Sequence, residues 1–193
     1  MAIEGLVIQA VRAGTPVVVE DPAQIAGLIA DGSTRLWLDL TDPSPAVVEE
    51  VARLVGLHPL VADDIVEQNE RAKVELIDGI IHVVMYALIR TDQTERLEID
   101  FALGGQFLLS VHPASWDLTQ AHQLKLGIGT ILERGPDFLL WALVDSIVDG
   151  YFPSSMPWPT RSTASRTKSS TTPCRQPSST SSGSRASLSR CAT

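Results

Sequence analysis

Asp63 and Asp64 stand side by side in VADDIV, and Asp145 and Asp149 stand four apart in LVDSIVD. Carboxylates are the ligands of hard divalent cations. Mg²⁺ in particular takes oxygen donors, keeps several waters and needs only one or two carboxylates from each element. Neighbouring positions on a helix point about 100° apart, so Asp63 and Asp64 do not make a catalytic dyad by spacing alone. Asp145 and Asp149 share a helical face, where like charges cost about 0.2–0.5 kcal/mol and a bound cation would reverse the penalty. The alternative for all four is a solvated polar stripe. That alternative is favoured for Asp149, and a metal role for Asp145.

The other chemistry-bearing residues point away from catalysis. His58 and His112 each precede a proline at an element boundary, where capping or turn roles are expected rather than metal ligation. His82 lies in an apolar run and reads as a core or sheet-face residue. No histidine pair has zinc spacing, and Cys174 and Cys191 both lie far from the acidic positions in sequence. Leu126-Gly127-Ile128-Gly129 is too short for a nucleotide fingerprint, and neither a G-x-S-x-G nor a P-loop occurs. No catalytic and no cofactor-binding residues are assigned, and the chain is not expected to be an enzyme.

The acidic positions must be held by elements that the sequence announces. Arg35–Leu40 alternates as a strand, and Thr41, Asp42 and Ser44 are candidate caps for a helix over Ala46–Leu57 that Gly56 breaks. His58-Pro59 opens the helix that carries Asp63 and Asp64 to about Gln68. Lys73–Ile77 and Ile80–Ile89 flank Asp78-Gly79, a hairpin signal. Leu97–Leu103 and Gln106–Val111 flank Gly104-Gly105, a second hairpin that His112-Pro113 stops. Residues 116–133 read as a weak helix interrupted by Gly127 and Gly129, and Asp137–Tyr151 as a stronger one. The order predicts an α/β (α+β) fold: an α/β/α sandwich around a mixed, largely antiparallel sheet.

Charge divides the chain in two. Ser154–Thr193 carries five Arg, one Lys and no acid, so it stands at +6, which leaves −14 on residues 1–153 out of the total of −8. An acidic domain is a poor nucleic-acid binder, because phosphate contacts need clustered Lys and Arg. No apolar run approaches the ~18–20 residues of a spanning helix, and the N-terminus does not read as a secretory signal. The expected organisation is a domain over 1–135, the beginning of a long helix over 136–153 and a disordered Ser/Thr/Arg-rich tail over 154–193.

That tail also reads as a shifted frame. Ser155, Trp158, Ser162, Ser165 and Ser169 are spaced three, four, three and four apart, and TCN serines read one base out of register become apolar. With GC-rich codons, one decoding of Ser154–Pro173 is VVDALADEIDRLEDEVVDDA, an acidic helix with a heptad stripe. The expectation is a frameshift near codon 153, with the helix continuing in the other frame.

Four phrases, LWLDLTDPS, GLHPLVADDIVEQNERAKVE, EIDFALGGQFLLSVHP and FLLWALVDSIVDGYF, resemble in order and spacing the cytoplasmic N-terminal domain of the CorA magnesium/cobalt transport proteins. The restored tail is similar to that family's next helical stretch. The resemblance implies a homopentamer in the cell membrane, with an α/β/α domain in the cytoplasm, long helices and two spanning helices per subunit. It implies a Gly-Met-Asn tripeptide at the pore mouth, absent here together with both spanning helices, so membrane attachment would come only through the missing helices. It implies regulatory Mg²⁺ between neighbouring domains, with Co²⁺ as the alternative ion, and the family's regulatory carboxylates match Asp63, Asp64 and Asp145. The resulting expectation is a cytoplasmic Mg²⁺-sensing domain of a divalent-cation channel that lacks the pore in this chain. The competing readings are a stand-alone acidic metal-binding or interaction domain and, well behind, a metal-dependent hydrolase using Asp63 and Asp64.

Overall fold

The computed structural model describes residues 3–68, 71–90, 94–116 and 127–152. The expected tail over 154–193 and most of the weak helix over 116–133 lie outside the described residues.

The elements run β1 (Leu6–Arg12), β2 (Thr15–Val17), α1 (Gln24–Asp31), β3 (Thr34–Thr41), α2 (Pro45–Val55), α3 (Pro59–Glu67), β4 (Lys73–Ile77), β5 (Ile80–Arg90), β6 (Thr94–Leu103), β7 (Phe107–His112), α4 (Ile128–Arg134) and α5 (Pro136–Asp149). Local chemistry sets most boundaries. Pro45 and Pro59 occupy first-turn positions of α2 and α3, where the missing N–H costs nothing. Gly56 ends α2 in the left-handed region, and its N–H returns to the Ala52 carbonyl. His58 caps α3 by accepting the Leu60 N–H on Nδ1 at 3.2 Å, the capping role expected of it. Of the three residues proposed to cap α2, Ser44 holds the N-cap position, yet its side chain makes no capping bond.

The seven strands form one sheet in the order β2-β1-β3-β7-β6-β5-β4. Only the central pair β3/β7 is parallel, so the sheet is mixed and largely antiparallel as predicted. Asp78 and Gly79 both have positive φ, and this two-residue turn pairs Ile77 with Ile80. The β6–β7 turn needs Gly104, since a Cβ there would lie 2.3 Å from the Phe107 ring.

Alternation splits the core across the sheet. Leu36, Leu38 and Leu40 of β3 face one side and pack with Ile25 of α1, Val51 of α2 and Ile65 of α3. Trp37 faces the other side with Phe101 and Leu108, covered by Ile131 of α4 and by Leu139, Leu143 and Ile147 of α5. The result is the expected α/β/α sandwich. The β1–β2 hairpin and α1 were not predicted. Leu6, Ile8 and Ala10 do alternate inward on β1, and Ala13-Gly14 is its turn, but a seven-residue strand beside a three-residue one is a faint signal.

Candidate metal centre

The packing of α3 fixes where its carboxylates go. Val61, Ala62 and Ile65 are buried against the core, which turns Asp63 and Asp64 outward. Asp63 is exposed, whereas Asp64 is half-buried. The ammonium of Lys73, first residue of β4, bonds the Asp64 carboxylate and stands 2.9 Å from that of Glu75. The Asp64 bond, ahead of the opposing cost of burial, raises the Lys73 pKa above its usual 10.5, so this cation stays charged. Adjacent in sequence, the two aspartates therefore sit in different surroundings.

Asp145 belongs to the other layer. On α5, Leu143 and Ile147 point into the core, and Asp145 is half-buried beside them. The helices α3 and α5 cover opposite faces of one sheet. The fold thus brings Asp63 and Asp64 to one layer and Asp145 to another, and does not join all three within one chain. Asp149, the last residue of α5, is exposed.

The sheet adds a grouping around His82 that the sequence reading did not assemble. His82 is fully buried on β5, as expected of a core histidine, and its Nε2 lies 2.9 Å from Asp100 Oδ1 on β6. Glu75 is the direct cross-strand partner of His82. Asp64, Glu75 and His82 each present a donor atom, and the three atoms lie within 4.8 Å of one another. The signal was present in the Asp78-Gly79 turn: once Ile77 pairs with Ile80, Glu75 must face His82. Burial, partly opposed by His82, raises the Asp100 pKa above 3.8.

A second histidine–aspartate pair lies on the opposite face. Trp37 Nε1 donates to Ser110 Oγ at 2.9 Å, and Ser110 donates to Asp39. His112 Nε2 lies 3.3 Å from Asp39 Oδ1, its Nδ1 lies 3.0 Å from the Pro113 carbonyl, and its ring meets Trp116 edge-on at 5.1 Å. The turn role expected of His112 is thus only part of its work. Asp39 stands between hydroxyl and imidazole, so the imidazole cannot take the Ser110 proton, and this is not a hydrolytic triad. Burial pulls the His112 pKa down, but the Asp39 bond, the Pro113 carbonyl and the charges of Asp39 and Asp42 outweigh it and leave it above 6.5.

The described residues thus form an α/β/α sandwich with exposed and half-buried carboxylates on both helical layers. The chain belongs to the CorA-like Mg²⁺ transporter family, whose model matches residues 32–156. It is 28% identical over 128 residues to the cobalt/magnesium transport protein CorA of Thermotoga maritima, covering 63% of this chain and 36% of that protein. It is 24% identical over 144 residues to the magnesium transporter ALR2 of Saccharomyces cerevisiae, covering 72% of this chain and 17% of that one. The soluble domain of CorA from Methanocaldococcus jannaschii shares the fold, with a TM-score of 0.54 and 16% identity over 78% of this chain and 59% of that one. The Thermotoga and Saccharomyces relatives are named as transport proteins and not as enzymes, and this chain spans about a third or less of their length. Among the described residues, no helix is long and apolar enough to cross a membrane.

Proposed function

We propose that this chain is the cytoplasmic Mg²⁺-sensing domain of a divalent-cation channel, and that its regulatory ion is shared between neighbouring copies. The observation that carries the reading is the separation of Asp63 and Asp64 on the α3 layer from Asp145 on the α5 layer. One chain cannot close these groups around an ion. A ring that sets the α3 face of one copy against the α5 face of the next can. The donor set fits the ion: carboxylate oxygens, on partly exposed helix positions that leave room for retained waters. Acidic domains packed in a ring repel one another, and a bridging divalent ion offsets that repulsion, so ion concentration biases a two-state assembly. The spanning helices and pore belong to the continuation of α5, read in the other frame beyond codon 153; sequencing the DNA there tests that part.

The test of sensing is sedimentation and protease resistance of the purified chain across millimolar Mg²⁺. The expected result is a larger, more resistant species with Mg²⁺, lost in Asp63→Ala/Asp64→Ala and in Asp145→Ala. A wild-type chain unaffected in both measurements would sink the proposal. Mg²⁺ binding by a chain that stays monomeric would favour the stand-alone metal-binding domain.

A further inference from the structure

We propose that Asp64, Glu75 and the imidazole of His82 form a second metal site, contained within one chain, that takes a borderline transition-metal dication of the zinc or cobalt class by displacing the Lys73 ammonium. It goes beyond the sensing role: it includes a nitrogen donor, needs no neighbouring copy and does not use Asp145.

The inference begins with His82. Its ring is fully buried, Nε2 is held by Asp100, and Nδ1 has no hydrogen-bond partner. An ionised Asp100 can only accept, so Nε2 carries the proton, and in the neutral ring Nδ1 then holds a bare lone pair. A buried ring nitrogen without a partner forfeits its desolvation cost unless something binds it. A carboxylate on one imidazole nitrogen with the other nitrogen open is the arrangement that orients metal-binding histidines and raises their basicity. Asp100 is the positioning residue in this reading.

The second observation is independent of the first. Glu75 comes to His82 by strand register and Asp64 comes by the packing of α3, and their donor atoms converge with that of His82 within 4.8 Å. A cation already sits among them: the Lys73 ammonium, bound to Asp64 and 2.9 Å from Glu75. Its single charge offsets one of the two carboxylates, and it makes no hydrogen bond to the free imidazole nitrogen. Donors on one zinc ion lie about 2.0–2.2 Å from it, hence no more than about 4 Å from each other. The three donor atoms, within 4.8 Å of one another, are at or close to that span. Glu75 is the one able to move, since its side chain is 45% exposed. One imidazole and two carboxylates suit zinc and cobalt better than magnesium, which prefers an all-oxygen shell.

The experiment is titration of the full untagged chain with Co²⁺, followed by visible absorption and calorimetry, with Cys174→Ser/Cys191→Ser as background to remove competing thiols. The expected result is one ion per chain, with cobalt ligand-field bands that Zn²⁺ abolishes and millimolar Mg²⁺ does not. Asp100→Asn should weaken the affinity by about 10- to 100-fold, and Glu75→Gln by more, while Lys73→Met should tighten it. Circular dichroism checks that each variant is folded. Asp64 belongs to both sites, so the two are separated by the residues they do not share: Asp145→Asn should leave the bands unchanged while abolishing Mg²⁺ sensing, and Glu75→Gln should weaken the bands while leaving sensing intact. Absence of cobalt bands in the wild type, or bands that Glu75→Gln leaves intact, would overturn the proposal.

Discussion

His82 and His112 each meet a buried aspartate on the same sheet, from opposite faces, and the two pairs are wired differently. Around His112 the network is closed: Trp37 to Ser110, Ser110 to Asp39, Asp39 to one ring nitrogen and the Pro113 carbonyl to the other. Two acceptors facing one ring hold its doubly protonated form, which is why the His112 pKa rises although burial opposes it. Around His82 one nitrogen is held and the other is bare. The surroundings differ as well. His112 ends β7 with its ring edge-on to Trp116, whereas His82 lies near the β4 edge, where Lys73 and Glu75 stay partly exposed. A buried polar group that is fully satisfied holds a fold together, and one left with an open valence is where a ligand can gain binding energy.

The comparison is most easily broken at the two aspartates. Asp39→Ala removes the acceptor of both Ser110 and His112 in a buried site, and should cost about 3–5 kcal/mol in urea unfolding. Asp100→Asn keeps an acceptor for His82 and removes a carboxylate whose charge burial already opposes, so it should cost about 1 kcal/mol or less. Equal losses would mean that the two networks do the same structural work.

pH sharpens the contrast, with an effect smaller than that of Asp39→Ala. His112 binds its proton more tightly in the folded chain than in the unfolded one. Its contribution to stability is therefore fully present below pH 6.5 and is lost as pH rises through the raised folded value. Denaturation midpoints should fall over that window, and His112→Asn should flatten the fall. Asp100 works in a lower window. Its folded pKa is also raised, so the stability it contributes is complete below about pH 3.9 and declines as pH rises through the folded value.

Much of this frame was legible beforehand, because its signals are local. Pro45, Pro59, Gly56 and Asp78-Gly79 punctuate the chain with residues whose backbone preferences leave few alternatives, and the elements between them appear where expected. The β1–β2 hairpin escaped because β1 carries buried residues on both faces, Ala10 on one and Val11 on the other, which blurs its alternation, and because β2 is three residues long. The parallel pairing of β3 with β7 joins residues some seventy positions apart, such as Leu38 and Leu109, and no local pattern encodes it. The site was half legible for the same reason. Asp63, Asp64 and Asp145 stand out by residue type, but that α3 and α5 lie on opposite faces follows only from the order of strands. His82 and Glu75 were each visible, and their meeting required extending the hairpin register by two residues.

The smallest effect falls on Lys73, and its dependence on salt separates the two regions better than its size. The side chains of Lys73 and Asp64 are 23% and 27% exposed, and that of Glu75 is 45% exposed. Lys73→Met should therefore cost no more than about 1 kcal/mol, the range of partly solvated ion pairs. What remains in the variant is two carboxylates close together without their cation, and counterions can reach them. Raising the salt from about 0.01 M to 1 M shortens the screening length from about 30 Å to 3 Å and should recover most of the loss. The deficit of Asp39→Ala should not recover, because its orphaned partners are buried hydrogen-bonding groups that ions in solution do not reach. If the Lys73→Met deficit proves as insensitive to salt as that of Asp39→Ala, the edge cluster is sealed from solvent, and the ease of exchanging its ammonium for a metal ion goes with it.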